Sequence, residues 1–393
     1  MADRMGIDDC PYVAPALLAH ELLFIRRFLE MHNLGVDSTP VIAIAMTPFL
    51  SMIAFETDQW IRHIDTGETK DHNDWVRALR QQFKGLASTG LTVQSYNTQC
   101  DEVVLRSSKL LRSSIKPAIL RPLCKDFGVH VLDGIEVAST LGVSRLLLRH
   151  RDSMTSFQKS VPGMDETSTS LGLLLGEHLQ RLDGLLAETS INDLRPYTYP
   201  EVSTTRYDYY LKQYLSVINE NFSGFVPSSV LFTISDTYYE LGIIEVLLKR
   251  GIIDMVLATK LRLITLYEFE TAASKISRFA HSDNHSFPLE TSVSNKLTSL
   301  LERKERKYIE RCKDVRNVLV HYGPLPKIEA VADIEQSFSY GKALDSIASP
   351  SGKTWERMQV DILNIAESFR SRSKQLIGIR LSGDDEEKAK KNG

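Results

Sequence analysis

Several features that mark common enzyme classes are missing from this chain. Its 393 residues contain no Walker phosphate-binding loop, no G-x-G-x-x-G dinucleotide fingerprint and no G-x-S-x-G nucleophile elbow. These absences argue against a nucleotide-driven motor and against an α/β hydrolase. Two groups of metal-capable side chains, within residues 281–285 and 63–72, lack a recognised ligand spacing. The sequence therefore implies neither a metal nor a cofactor.

Cysteine is scarce. The four cysteines are widely separated and form no C-x-x-C pair; they are Cys10, Cys100, Cys124 and Cys312. A disulfide framework or a zinc site uses closely spaced pairs, so we expect reduced thiols, which fits a cytoplasmic location. The first residues also lack the basic and apolar segments of a secretory signal.

Long hydrophobic runs and an excess of one charge are missing as well. The most apolar run, residues 41–55, is shorter than the roughly 20 residues that a bilayer requires, and Thr47, Pro48 and Ser51 interrupt it. We therefore expect no membrane span. With 47 Lys plus Arg against 50 Asp plus Glu, the net charge is −3. Binding to nucleic acid would therefore need a local basic patch.

Helical periodicity is abundant, because apolar residues recur every three or four positions through most of the chain. The sequence predicts a mainly α fold in which a helical N-terminal domain precedes a helical bundle. The N-terminal domain covers residues 1–190, with a sensory, regulatory or RNA-binding role. A Pro-, Ser- and Thr-rich linker (191–204), the bundle (205–380) and a charged flexible tail (381–393) follow. Residues 117–164 stay undecided, since part fits a strand and part fits a helix.

Five helices are predicted within the bundle, over residues 205–222, 227–249, 252–280, 294–321 and 353–379. The fourth is expected to be one long helix with one buried face. It should end at His321, because Gly323 can adopt the left-handed cap conformation and Pro324 cannot continue a helix.

The last turn of that fourth helix carries a polar trio with catalytic potential. Arg316 and Asn317 are adjacent, and His321 follows four residues after Asn317. Imidazole titrates near neutrality and can act as a general acid or base. A guanidinium suits a phosphate and its transition state. Asn317 lies one helical turn before His321 and is expected to orient it.

This Arg-Asn-x-x-x-His pattern, at the end of a long helix within an all-helical bundle, resembles the R-x4-6-H signature of the HEPN superfamily. The resemblance covers about residues 205–380 and matches Arg316, Asn317 and His321. It implies a metal-independent endoribonuclease that needs no cofactor, of the kind that serves as a toxin or an anti-phage effector. It also implies an RNA substrate, a homodimer that brings two motifs together, and a regulatory partner or antitoxin.

The bare spacing is not specific, since Arg27 with His32 and Arg145 with His150 repeat it. Neither of those has a polar second residue. The alternative interpretation treats Arg316 and Asn317 as solvated helix residues and His321 as a capping residue bonded to carbonyls. The chain would then be a non-catalytic helical interaction or RNA-binding module with an inactive or accidental motif.

Two further sets of residues are candidates for supporting roles. Glu268 and Glu270 lie on a helix that could pack beside the motif, where HEPN proteins often place an extra polar residue, and the sequence does not decide which faces inward. A basic run before the motif could guide RNA or could be a solvated helix face. It consists of Arg303, Lys304, Arg306, Lys307 and Lys313.

The helix geometry bears on whether one chain completes the site. Arg316 and His321 are five residues apart, which separates them by about 140° on an ideal helix. Either the long Arg side chain bends around the helix, or a second subunit completes the site. We favour the second interpretation, and thus a homodimer with a composite active site.

Overall fold

The computed structural model describes residues 13–64, 80, 84–88, 90–113, 125–145, 201–282, 289–321, 344–345 and 347–378. These residues are mainly helical, which confirms the predicted fold class. The N-terminal elements are α1 (Val13–Asn33), α2 (Thr39–Ile64), α3 (Val93–Ser113), β1 (Phe127–Leu132) and β2 (Ile135–Ser139). The later elements are β3 (Thr204–Tyr209), α4 (Leu211–Phe222), α5 (Ser228–Lys249), α6 (Met255–Ala280), α7 (Thr291–Thr298), α8 (Arg303–Arg311), α9 (Lys313–His321) and α10 (Trp355–Ile377).

Helices α5 and α6 form the centre of the fold. Both are buried along most of their length, as expected for helices that other elements cover on several sides. Helix α10 packs on both of them. The rings of Phe269 and Phe369 meet edge to face, with their centroids 4.6 Å apart. Gly242 lets α5 approach β2 closely, because a Cβ there would lie 2.2 Å from the Glu136 carbonyl oxygen.

A three-stranded antiparallel sheet with the order β2-β1-β3 covers one side of α5. Strand β3 occupies the start of residues 205–222, for which the sequence predicted one continuous helix, so that prediction was wrong over residues 205–209. Tyr207 and Tyr209 are half-buried residues that suit a pleated surface. Their spacing happens to fit the apolar pattern of α4 as well, which made the strand look helical.

Elements from both sides of the predicted linker pack together. Strand β3 pairs with β1, α1 and α2 pack on α6 and α5, and the buried residues from Leu17 to Ile377 form one apolar core. Lys260 and Glu21 add a buried ion pair between α6 and α1. Of the linker 191–204, only the last four residues are described, and the 381–393 tail lies outside the described residues. The predicted division thus separates two regions that share a sheet and a core.

The predicted single helix over 294–321 is three helices, and that expectation was wrong. The helical conformation is interrupted after α7. Glu302 and Glu305 then form a capping box that starts α8. The helical conformation is interrupted again at Cys312, whose N–H bonds to the carbonyls of Tyr308 and Ile309. Leu300, Leu301 and Cys312 remain buried at the breaks, so the apolar rhythm continues while the helix does not. Residues 323 and 324, the predicted helix stop, lie outside the described residues.

One described segment, Thr39–Glu56 of α2, is long and apolar enough to cross a membrane, and 67% of it is buried inside the protein. Burial of that extent is what a core helix of a folded domain shows. The location of the protein in the cytoplasm stays a prediction.

Candidate active site

Helix α9 places the predicted catalytic residues against α6 and α2. Val315, Val318, Leu319 and Val320 are buried and fix the helix on the core. This packing leaves Arg316 mostly buried, with 11% of its side chain exposed, and His321 half exposed at 50%. The Arg316 side chain is therefore mostly buried, whereas the His321 side chain reaches the protein surface.

His321 is bonded to a residue that the sequence did not single out. Its Nδ1 lies 2.7 Å from Oε2 of Glu56 in α2. A carboxylate can only accept hydrogen bonds, so Nδ1 carries the proton and Nε2 is the nitrogen left for chemistry. The alternative in which His321 caps backbone carbonyls does not match this contact.

Arg316 faces Glu268 of α6. Its Nη2 lies 3.9 Å from Glu268 Oε1, and Arg80 Nη2 lies 3.3 Å from the same oxygen. The Arg316 guanidinium also lies over the ring of Tyr267, with its Cζ 5.4 Å from the ring centroid. Glu268 thus holds two guanidinium groups, one from the motif and one from the N-terminal half.

Asn317 does not orient His321 as the sequence predicted. Its Oδ1 accepts a hydrogen bond from Arg316 Nη1 at 3.1 Å. The i,i+4 relation is real, but the adjacent guanidinium competes for the amide oxygen with a charged donor. Asn317 therefore positions Arg316, and Glu56 positions His321.

A short 3-10 turn, Gly85–Ala87, brings Lys84 to the same cluster. The turn is fixed on α6 because Lys275 Nζ donates to the carbonyls of Leu86 and Ser88, both at 2.8 Å. Gly85 has a φ of +50°, and a Cβ there would lie 3.0 Å from Tyr96 Oη. Both the positive φ and the close approach of Tyr96 favour glycine at this position, which precedes α3 and follows Lys84 directly.

The electrostatics of the cluster follow from burial and from crowding of like charges. Burial lowers the pKa of Lys84, and the charges of Arg80 and Arg316 lower it further. Burial also lowers the pKa of Arg316, against the opposing effect of Glu268. Burial, and then the charge of Glu268, raise the pKa of Glu240 well above its ordinary value.

Glu270 points away from the motif, which answers the question that the sequence left open. Side chains two residues apart on a helix diverge by about 200°, so Glu268 and Glu270 cannot both face α9. Glu270 accepts a hydrogen bond from Ser274 at 2.9 Å, and burial raises its pKa. Arg306 is its nearest compensating charge.

The basic run on α8 and at the start of α9 is only partly a free surface. Arg306 is half-buried beside Glu270, and Lys304 lies 3.1 Å from Glu302. Arg303, Lys307 and Lys313 are exposed. Within the described part of the chain, no ion pair or hydrogen bond connects these five residues to Arg316 or His321. An RNA-guiding role for them stays a prediction.

The two other R-x4-H spacings place their arginines in structural roles. Arg27 donates to the Gly251 carbonyl at 2.7 Å, and Arg145 is buried in an ion pair with Asp236. Arg316 also faces a carboxylate, Glu268, and the histidine of its motif is bonded to a second one, Glu56. No local pattern pointed to Glu56, Arg80 or Lys84, since only the tertiary fold brings them next to α9.

Comparison of the chain with protein-family models, curated proteins and solved structures found no match. In the described residues, no group of three or more His, Cys, Asp or Glu side chains could hold a metal ion. A functional proposal therefore depends on the site itself.

Proposed function

We propose that this protein is a metal-independent endoribonuclease of the HEPN type. The observation that carries the proposal is the His321–Glu56 hydrogen bond at the edge of a cluster that also contains Arg316. Glu56 thus connects a general acid–base group with a fixed tautomer to a cation that suits a phosphate.

The chemistry that fits these residues is internal transesterification of RNA. The ribose 2′-oxygen attacks the adjacent phosphorus and loses its proton, and the bond from phosphorus to the 5′-oxygen breaks. The leaving 5′-oxygen gains a proton. The products are a 2′,3′-cyclic phosphate and a 5′-hydroxyl, with no redox change and no co-reactant.

Each residue has a separate task in this step. His321 Nε2 transfers a proton to or from a reacting oxygen, while Glu56 keeps the ring orientation and the Nδ1 proton fixed. Arg316 stabilises the negative charge that develops on the phosphorane oxygens. Asn317 and Glu268 hold the Arg316 guanidinium in position.

We further propose that the enzyme acts as a homodimer in the cytoplasm, as a toxin or defence effector controlled by a regulatory partner or antitoxin. The exposed half of His321 supports the dimer, because Arg316 faces inward and the imidazole is open to a second copy. In this arrangement two motifs form one composite site.

One observation favours a second candidate, a non-catalytic helical interaction or RNA-binding module. Arg316 is mostly buried and already interacts with Glu268, which is also how a purely structural ion pair behaves. Under this alternative the cluster would hold α9 on α6 and would perform no chemistry.

The test is incubation of the purified protein with total RNA in EDTA, alongside His321→Ala and Arg316→Ala. We expect cleavage by the wild type and loss of about 10²- to 10⁴-fold in rate for His321→Ala. A matched control is His281→Ala, since His281 is also exposed at a helix C-terminus and bonds only its own helix, at the Ser277 carbonyl. Equal cleavage by all four proteins, or by none under activating conditions, would contradict the nuclease.

A further inference from the structure

The cluster around Glu268 contains more positive charge than its carboxylates balance. Arg80, Lys84 and Arg316 bring three cations, whereas Glu56 and Glu268 are the carboxylates that act on them. Glu240 is not among the main charges that act on Lys84 or Arg316, and burial disfavours its charged form. A surplus of positive charge in a mostly buried place favours the binding of an anion.

Hydrogen-bond donors in the cluster are unused. The Nε atoms of Arg80 and Arg316 are buried and have no partner within the described residues. The Lys84 ammonium makes no hydrogen bond or ion pair with any residue that the structure describes. Only 5% of the Arg80 side chain is exposed. Buried donors without acceptors are uncommon unless a ligand supplies the acceptors.

The geometry suits an anion with several oxygens. Arg80 and Arg316 approach one carboxylate oxygen, at 3.3 and 3.9 Å, so their planar forks converge. Converging guanidinium groups are the common protein partners of phosphate. Lys84 is half-buried and within electrostatic range of both arginines, which adds a point charge to the pair.

We propose that Arg80, Lys84 and Arg316 together bind the phosphate at which the RNA is cut, so that the N-terminal half supplies part of the substrate site. Glu268 holds the two guanidinium groups apart and in place when no substrate is bound. This inference rests on the proposed nuclease function for the identity of the ligand. It adds two substrate-binding residues and assigns a role to a segment outside the helical bundle.

A structural explanation exists for Arg80 but not for Lys84. Arg80 and Glu268 alone could form an ion pair that attaches the N-terminal segment to α6. Lys84 has no such role, because its ammonium makes no ion pair or hydrogen bond within the described residues, and Glu268 and Glu56 act on it only at longer range. A lysine that gains no partner and is held next to two arginines is therefore the more informative residue to change.

The test is binding of a 2′-fluoro RNA oligonucleotide to the full-length protein, measured by fluorescence anisotropy. This RNA has the phosphates but lacks the attacking hydroxyl. We expect Kd to rise about tenfold in Lys84→Met and in Arg80→Gln. The slope of log Kd against log salt should fall by about 0.7 for each lost cation. Glu268→Gln should bind more tightly than the wild type, since it removes the competing anion.

The controls separate this proposal from the nuclease. Lys249→Met changes a lysine that is 63% exposed on α5 and should leave binding unchanged. Wild-type affinity in a folded Lys84→Met protein, or no binding of the RNA by the wild type, would overturn the phosphate site. Lys84-dependent binding in a protein that never cleaves RNA would support the phosphate site and would overturn the nuclease instead.

Discussion

His321 Nδ1 donates a hydrogen bond of 2.7 Å to Glu56 Oε2, across 265 residues of sequence. This contact ties the last turn of α9 to α2 and leaves Nε2 as the nitrogen available for proton transfer. Glu56 is 4% exposed, and its other oxygen is buried without a partner in the described part of the chain. The nearby charges of Arg316 and Lys84 compensate the carboxylate.

Replacing Glu56 by Gln tests the role of this contact. The change keeps the size of the side chain and removes the charge that holds the imidazole, so kcat for RNA cleavage should fall about tenfold or more. Affinity for 2′-fluoro RNA should not fall, because Glu56 is an anion that acts on Lys84 and Arg316 and its loss leaves those cations more available to a phosphate. Single-turnover rates and anisotropy measure the two effects separately. Glu220→Gln, on the exposed face of α4, is the control. An unchanged rate would show that Glu56 does not position His321.

Glu270 gives a prediction about pH and stability. Burial raises its pKa in the folded state above the ordinary value of 4.5, so the folded protein holds this proton more tightly than the unfolded chain does. The contribution of Glu270 to stability is therefore full below pH 4.5 and is lost as pH rises through the folded-state pKa. Glu270→Gln should be more stable than the wild type near pH 7, and the difference should shrink on acidification.

Thermal unfolding of both proteins across about pH 4 to 8 measures this difference. Cleavage should be unaffected in Glu270→Gln, because the side chain points away from Arg316. A stability gain that grew toward low pH would contradict the raised pKa of Glu270.

Gly85 gives a prediction about the turn that carries Lys84. Its φ is +50°, and an added Cβ would lie only 3.0 Å from Tyr96 Oη, so both the backbone and the space disfavour a side chain. Gly85→Ala should destabilise the protein by about 1 to 2 kcal/mol and weaken RNA binding as Lys84 shifts. Gly35 has a similar φ of +66° and open space around it, so Gly35→Ala should show the backbone strain alone. Equal effects at the two glycines would argue against the close contact at Gly85.

The composite site can be tested by mixing subunits. If two motifs meet across a dimer, a mixture of Arg316→Ala and His321→Ala proteins contains heterodimers in which one chain supplies the guanidinium and the other the imidazole. We expect cleavage to return on mixing, and light scattering should show a dimer. Two inactive dimeric variants that stay inactive together after subunit exchange would place the whole site within one chain.

The sequence was sufficient for the helical class, because that class depends on local patterns. Apolar spacing predicted α5, α6 and α10 to within a few residues, and it placed Arg316 and His321 in a helix. The same spacing concealed the breaks around α8, since buried residues continue through them. It also concealed β3, whose tyrosines fit a helical pattern.

The partners of the motif could not be predicted in the same way. Glu56, Arg80 and Lys84 lie more than 200 positions before Arg316 in the chain and show no distinctive spacing. They reach the site because α2 and the turn before α3 pack on the α6–α9 pair, which is a consequence of the whole core. The expected link from Asn317 to His321 was wrong for a local reason, since Arg316 is the closer and stronger donor.

The most direct test uses one defined oligoribonucleotide in EDTA and identifies the ends of the products. We predict a 2′,3′-cyclic phosphate and a 5′-hydroxyl, made by the wild type and by His281→Ala and lost in His321→Ala. Replacing the single ribose at the cleavage position by 2′-deoxyribose should also stop the cut there. Products with a 5′-phosphate, or cleavage that persists in His321→Ala, would contradict the proposed mechanism.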